Sequence, residues 1–114
     1  MNETDVIKNI IDKIKTRRTK WKLSQRAINR DTLAELGLME EIAFNQIYDS
    51  ISWRDYSQGP MADDHHLPGD VWVFGLIISG QECYLKFQDK PNETVMWISL
   101  HIALHPMRYP YRDY

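Results

Sequence analysis

The sequence predicts an α+β domain, with N-terminal helices packed on a C-terminal antiparallel β-meander. Three observations predict it. Apolar residues recur at three- and four-residue spacing as far as Ile51, the pattern of amphipathic helices. From Asp70 onward the chain changes to short runs rich in Val, Ile, Trp and Phe. Two of those runs are joined by Ser79-Gly80, a two-residue hairpin connection. The 114 residues read as one domain, 1–114, long enough for a core without disulfide staples.

Val6, Ile7, Ile10, Ile11 and Ile14 place a helix over 4–16, with Thr4 as its N-cap, inside a basic amphipathic segment 1–23. Lys13, Lys15, Arg17, Arg18, Lys20 and Lys22 occupy its last turn and the residues just after it, where cations suit the helix dipole. Helices then fill 24–56. Ser24 caps one over 25–36 with Ala27, Ile28 and Leu33 inward, and Gly37 stands at the C′ position. Another over 39–51 buries Ile42, Ala43, Gln46 or Ile47, and Ile51. Residues 57–69 form a long polar loop bracketed by Gly59-Pro60 and Pro68-Gly69. Long loops in compact domains are commonly functional. The sheet occupies 70–101, with strands at 70–78, 81–88 and 94–101, and the tail 102–114 is irregular.

The hairpin fixes which way each strand residue faces. A loop at 79–80 pairs Ile78 with Gln81, so Trp72, Phe74 and Leu76 share a face with Cys83, Leu85 and Phe87. All six are apolar, which marks the core face. On the other face Gly75 opposes Tyr84, leaving open space beside the tyrosine. If Lys90 pairs with Glu93 in the next turn, Tyr84 opposes Ser99 and Glu82 opposes His101. Tyr84, Lys86, Ser99 and His101 then gather on the non-core face, with Trp97 beside them.

Charge is distributed unevenly. Residues 1–30 hold nine Lys/Arg against three Asp/Glu; residues 31–114 hold five against thirteen. The basic segment is either a surface for a polyanion or acidic partner, or a solvated helix face. Cys83 stands alone, which excludes an internal disulfide and a multi-cysteine zinc site. No secretory signal and no membrane-length apolar run is visible, so the expected location is the cytoplasm, away from membranes.

The non-core face carries chemistry. An imidazole titrates near neutrality and can act as general acid or base, so His101 leads. Lys86 offers positive charge to a phosphate gaining charge in a transition state, and Tyr84 can stack or hydrogen-bond. The alternative is a merely solvated sheet face. Tyr56 and Trp97 are candidate stacking platforms for single-stranded bases. Asp63, Asp64, His65 and His66 form a ligand-like cluster that would need His101 or His105 to complete a metal site. Contact with substrate or partner by that loop is the preferred reading.

Arg26-Ala27 through Leu36-Gly37-Leu38, Ile47 to Ile51, and Arg54-Asp55-Tyr56 resemble the helical part of the MqsR family of toxins. Gly59-Pro60 with Asp63 or Asp64, then Gly69-Asp70-Val71-Trp72-Val73-Phe74-Gly75, resemble the family's first strand. Tyr84-Leu85-Lys86 and Ile98-Ser99-Leu100-His101 resemble its later strands, as in a divergent branch. The resemblance spans roughly residues 20–101. It implies a RelE-like fold and the toxin of a type II toxin–antitoxin system, a metal-independent endoribonuclease that cleaves mRNA without a cofactor. It also implies a cognate antitoxin as partner, with the ribosome a further candidate. The family's strand tyrosine aligns with Tyr84 and its basic residue two positions on with Lys86. Its lysine after the third helix falls near Gln58, its loop glutamine near Gly69 and its last-strand lysine at His101. The expected site is therefore catalytic His101, Lys86 and Tyr84, with Tyr56, Gln58, Trp97, Ser99, His65 and His66 toward RNA. Two other functions compete: a non-catalytic interaction module presenting the basic helix, and a metal-dependent phosphodiesterase built on the Asp/His loop.

Overall fold

Helix α1 (Glu3–Thr16) starts earlier than its apolar stripe requires, because Asn2 rather than Thr4 caps it. The Asn2 side chain accepts from the Asp5 amide at 2.9 Å, and the Thr4 hydroxyl donates to the same oxygen at 2.8 Å. Ile7, Ile10, Ile11 and Ile14 form the buried stripe, as their spacing predicts; Val6 stays exposed. At the other end the Trp21 indole N–H donates to the Ile14 carbonyl at 2.8 Å, satisfying one acceptor that a helix terminus leaves open. The computed structural model describes residues 1–113.

Trp21 also begins strand β1 (Trp21–Leu23), a short element hidden within the basic segment. Three residues are too few for an alternation to be read, and only the tertiary partner identifies them. Ser24 donates its backbone N–H to the Trp97 carbonyl instead of capping a helix. Helix α2 (Ala27–Leu36) therefore begins later, after Arg26, and its buried residues are Asn29 and Thr32 rather than Ala27. It ends as predicted at Gly37, which takes φ 68°; the Leu38 N–H reaches back to the Leu33 carbonyl and that of Gly37 to Ala34. Helix α3 (Glu40–Ser50) buries Ala43, Phe44 and Ile47, while Ile42 points outward.

The architecture is α+β. Strands β2 (Tyr56–Met61), β3 (Val71–Ile78), β4 (Gln81–Asp89) and β5 (Val95–Ile102) join β1 in one five-stranded sheet of order β1-β5-β4-β3-β2. Neighbours are antiparallel except β1, which runs parallel to β5, so the sheet is mixed rather than a pure meander. The first part of the expected 57–69 loop is strand β2. The side chains of α1 and α3 pack with Trp72, Phe74, Leu76, Cys83, Leu85 and Phe87 into a single core. That apolar face follows the predicted β3–β4 register, which holds at every pair from Ile78↔Gln81 to Val71↔Gln88.

The β4–β5 register departs from expectation twice. Lys90 pairs through its N–H with the carbonyl of Thr94, not Glu93, across the three-residue loop Pro91-Asn92-Glu93. Glu93 takes φ 71°, the left-handed residue such a loop needs. This one-residue change turns Trp97 inward opposite Phe87, fully buried. A bulge then restores the original facing: beyond it Lys86 pairs with Ser99 and Tyr84 with His101. Asn29 holds this bulge. Its side chain accepts from Leu100 N–H at 2.9 Å and donates to the carbonyls of Ile98 and Ser24 at 3.0 Å each. A buried amide from α2 thus does for β5 what a neighbouring strand does elsewhere.

The tail crosses the second face of the sheet. The Tyr109 hydroxyl and Met107 sulfur sit where a side chain at Gly75 would be, so the expected open space beside Tyr84 is filled from residues 107–109. The Tyr109 hydroxyl donates to Glu82 at 2.8 Å. Burial, reinforced by the Glu82 carboxylate, pushes this phenol up to about 12 from its ordinary value, despite the opposing Arg112 guanidinium. A phenol raised in the folded state favours folding at pH below the ordinary tyrosine value and loses that contribution as pH climbs through about 12. An alkaline titration followed by tyrosinate absorbance should show a late-titrating phenol besides Tyr56, which burial also raises, and Tyr109→Phe should remove it. Its absence from the wild type would mean that the tail is not anchored as described.

Candidate active site

The bulge in β5 and the hairpin between β3 and β4 together set the floor of a cavity of about 990 Å³. Tyr84, Lys86, Ser99 and His101 form that floor, the four residues expected on one face. Ser57, Gln58, Asp63, Asp64 and His65 line it from β2 and the loop after it. The tail supplies another wall through Leu104, His105, Pro106, Met107, Arg108 and Pro110, and Arg26 reaches in from the start of α2.

His101 is held on two sides. Its ring stacks on Tyr84, its cross-strand partner, with centroids 5.2 Å apart and planes inclined by 16°. Its Nδ1 lies 2.9 Å from the Ile102 carbonyl oxygen. A carbonyl only accepts, so Nδ1 carries the proton and Nε2 keeps the lone pair in the neutral ring. At 8% exposure the ring is nearly enclosed yet lines the cavity. This is the tautomer a general base needs at Nε2.

Lys86 is mostly covered, its side chain 18% exposed, and its Nζ lies 3.4 Å from the Asp64 carboxylate. Asp64 is itself 81% exposed at the rim. Asp63 plays a different part: its Oδ2 accepts the N–H groups of His65 at 2.9 Å and Leu67 at 3.2 Å. Desolvation acts to raise this carboxyl, but those two amides, with the charges of His65 and Lys86, outweigh it and hold the group below the ordinary range. Asp63 is thus committed to shaping the loop. Among the described residues no three His, Cys, Asp or Glu side chains converge as a metal site would require.

Three expected RNA-facing residues lie elsewhere. Trp97 packs in the core against Trp21, Phe44 and Phe87, because the three-residue loop turned it inward. Tyr56 is buried among Trp72, Phe74 and Tyr111, with its hydroxyl donating to the Gly59 carbonyl at 2.6 Å. His66, at φ 59°, is exposed and does not line the cavity. Gly69 also falls outside it; the Gln88 side chain donates there to the carbonyls of Leu67, Pro68 and Gly69. Cys83 sits in the core, where burial above all pushes its thiol up to about 11 and makes it a poor nucleophile.

No protein-family model, curated protein or solved structure matches this chain. Among the described residues no helix is long and apolar enough to cross a membrane.

The cavity also contains cations that sequence reasoning misses. Arg26 and Arg108 join Lys86, with His65 and His105 near them. Arg26 is separated by 73 residues from its partner Ser99, so no local pattern connects them. The basic cluster of the N-terminal segment, by contrast, is largely spent within the fold. Lys13 and Arg17 share Asp89, Arg18 meets Glu41, and Lys20 meets Glu93.

Proposed function

We propose that this chain is a metal-independent endoribonuclease that cleaves mRNA, acting in the cytoplasm as the toxin of a toxin–antitoxin pair, as its resemblance to the MqsR family implies. The observation that carries the reading is His101 stacked on Tyr84 with Nδ1 held by Ile102, on a cavity floor shared with Lys86 and Ser99. His101 Nε2 takes the proton of a ribose 2′-OH. The 2′-oxygen attacks the adjacent phosphorus, and Lys86 and Tyr84 stabilise the added negative charge. The bond from phosphorus to the 5′-oxygen breaks, and a protonated imidazole in the cavity gives that oxygen its proton. The products are a 2′,3′-cyclic phosphate and a 5′-hydroxyl. The cognate antitoxin restrains the enzyme by covering this surface.

Expression from an inducible promoter, with growth and mRNA integrity followed together, tests the reading. Growth arrest with RNA loss is expected, and cleavage by the purified protein should survive a chelator. Soluble, folded protein that causes neither arrest nor RNA loss would turn the assignment to a non-catalytic interaction module.

A further inference from the structure

We propose that Arg26, Ser99 and Lys86 form a clamp for a backbone phosphate of RNA, and that the Asp64 carboxylate is its internal stand-in, displaced when substrate enters. The identity of the anion rests on the ribonuclease reading; the clamp itself rests on the donor inventory of the site.

Lys86 and Ser99 are directly paired across β4 and β5. Arg26 Nη1 donates to Ser99 Oγ at 2.9 Å and to the Ile98 carbonyl at 3.3 Å. One cation thus touches the hydroxyl directly, and a second stands on the residue paired with it across the sheet. Most of their donors are unused among the described residues. Arg26 Nε and Nη2 make no hydrogen bond, and the Ser99 hydroxyl accepts from Arg26 but gives its own proton to nothing, although the residue is only 3% exposed. Lys86 offers three donors and meets one acceptor, Asp64, at 3.4 Å. A covered hydroxyl and ammonium beside an exposed guanidinium, with spare donors and one loosely held carboxylate, are complementary to an oxyanion.

The Asp64 contact identifies where that oxyanion sits. It is a long ion pair with a highly exposed partner, a class of interaction that contributes little and is readily exchanged. A phosphate held by a guanidinium, an ammonium and a hydroxyl makes more and shorter charge-assisted bonds than Asp64 does. The Lys86/Ser99 pair lies two residues along the strands from the Tyr84/His101 pair, about 6.8 Å away. Flexible Arg and Lys side chains at that distance reach a phosphate next to the imidazole.

The test is binding of a fully 2′-O-methylated single-stranded oligoribonucleotide, which has the phosphate backbone but no 2′-hydroxyl to react. Fluorescence anisotropy across a salt series would compare wild type with Arg26→Ala, Arg26→Lys and Asp64→Asn. Arg26→Ala should weaken binding about tenfold or more, with a salt slope smaller by roughly 0.7, as for one lost phosphate contact on a single strand. Arg26→Lys should fall between, because charge remains while the planar fork is lost. Asp64→Asn should bind severalfold more tightly. Arg26→Gln, which keeps a donor for Ser99, serves if Arg26→Ala does not fold. Unchanged affinity and slope in a folded Arg26 variant would overturn the clamp, and unchanged affinity in Asp64→Asn would overturn the stand-in. Wild-type binding that depends on Arg26, with no cleavage of the matching unmodified RNA, would leave the clamp standing and sink the ribonuclease reading.

Discussion

His101→Ala is expected to lower RNA cleavage by about a hundredfold to ten-thousandfold, the range for removing a positioned acid–base group. The effect should be large because this imidazole is fixed on two sides, by the Tyr84 ring and the Ile102 carbonyl, so no rotation is needed to present Nε2. His65 and His105 line the same cavity, but neither has a comparable tether. The measurement is a single-turnover rate on a short RNA with excess enzyme, which separates chemistry from binding. Affinity for a 2′-O-methylated analogue should change far less than the rate. A folded His101→Ala protein cleaving within a few-fold of wild type would remove His101 from the mechanism.

The second large effect is expected at Asn29, which is fully buried, lies outside the cavity lining, and meets it through β5 and the Arg26 backbone carbonyl. Asn29→Ala leaves the Leu100 N–H without its acceptor and strips Ile98 and Ser24 of a donor. Of these groups Leu100 N–H is the one both buried and left without a partner, since Ile98 keeps the Arg26 guanidinium, and that orphaned donor costs about 1–3 kcal/mol of unfolding free energy. For a domain of this size that is a large share of total stability. Chemical denaturation measures it. Asn29→Asp separates the two halves of the amide, since a carboxylate can still accept from Leu100 but cannot donate to the carbonyls. It should be better than alanine only if the Leu100 bond dominates. A loss under about 1 kcal/mol in Asn29→Ala, with cleavage intact, would show that β5 holds its bulge unaided.

How much of the fold is legible in the sequence depends on the range of the interactions. The Ile7–Ile14 stripe, the Gly37 terminus and the Ser79-Gly80 hairpin are set by neighbours a few residues away, and each stands where spacing places it. Strand β1 and the late start of α2 are set by β5, more than seventy positions distant, and no local pattern announces them. The site divides the same way. Tyr84, Lys86, Ser99 and His101 share a face because strand alternation requires it, although the route to that arrangement differs from the simple one. Alternation through a loop one residue too short places Trp97 outward, and an aromatic beside a loop, such as Tyr56, reads equally as shelf or core. Nothing local to Arg26 announces its contact with Ser99, 73 positions away.

The charge asymmetry of the chain has a similar resolution. The excess of cations before residue 31 and of anions after it is partly a complementarity between the two halves of the domain. Lys13, Arg17 and Lys20 meet acids at the β4–β5 turn, which ties the end of α1 to the sheet. The cations that line the cavity, Arg26, Lys86 and Arg108, come from three separate segments.

Ile98 is the residue that β5 has in excess of β4: Phe87 pairs with Trp97 and Lys86 with Ser99, so position 98 has no partner of its own. Before it the strand delivers Trp97 to the apolar interior; after it the strand delivers Ser99 and His101 to the cavity. Loss of that codon would leave Trp97, Ser99, Leu100 and His101 in plain alternation, with the imidazole still on the cavity face and Leu100 still inside. What the extra residue adds is a bend in the strand and a wall residue for the cavity, since Ile98 lines it. A chain shortened by one at this point would keep the order of its site and lose the curvature beneath it.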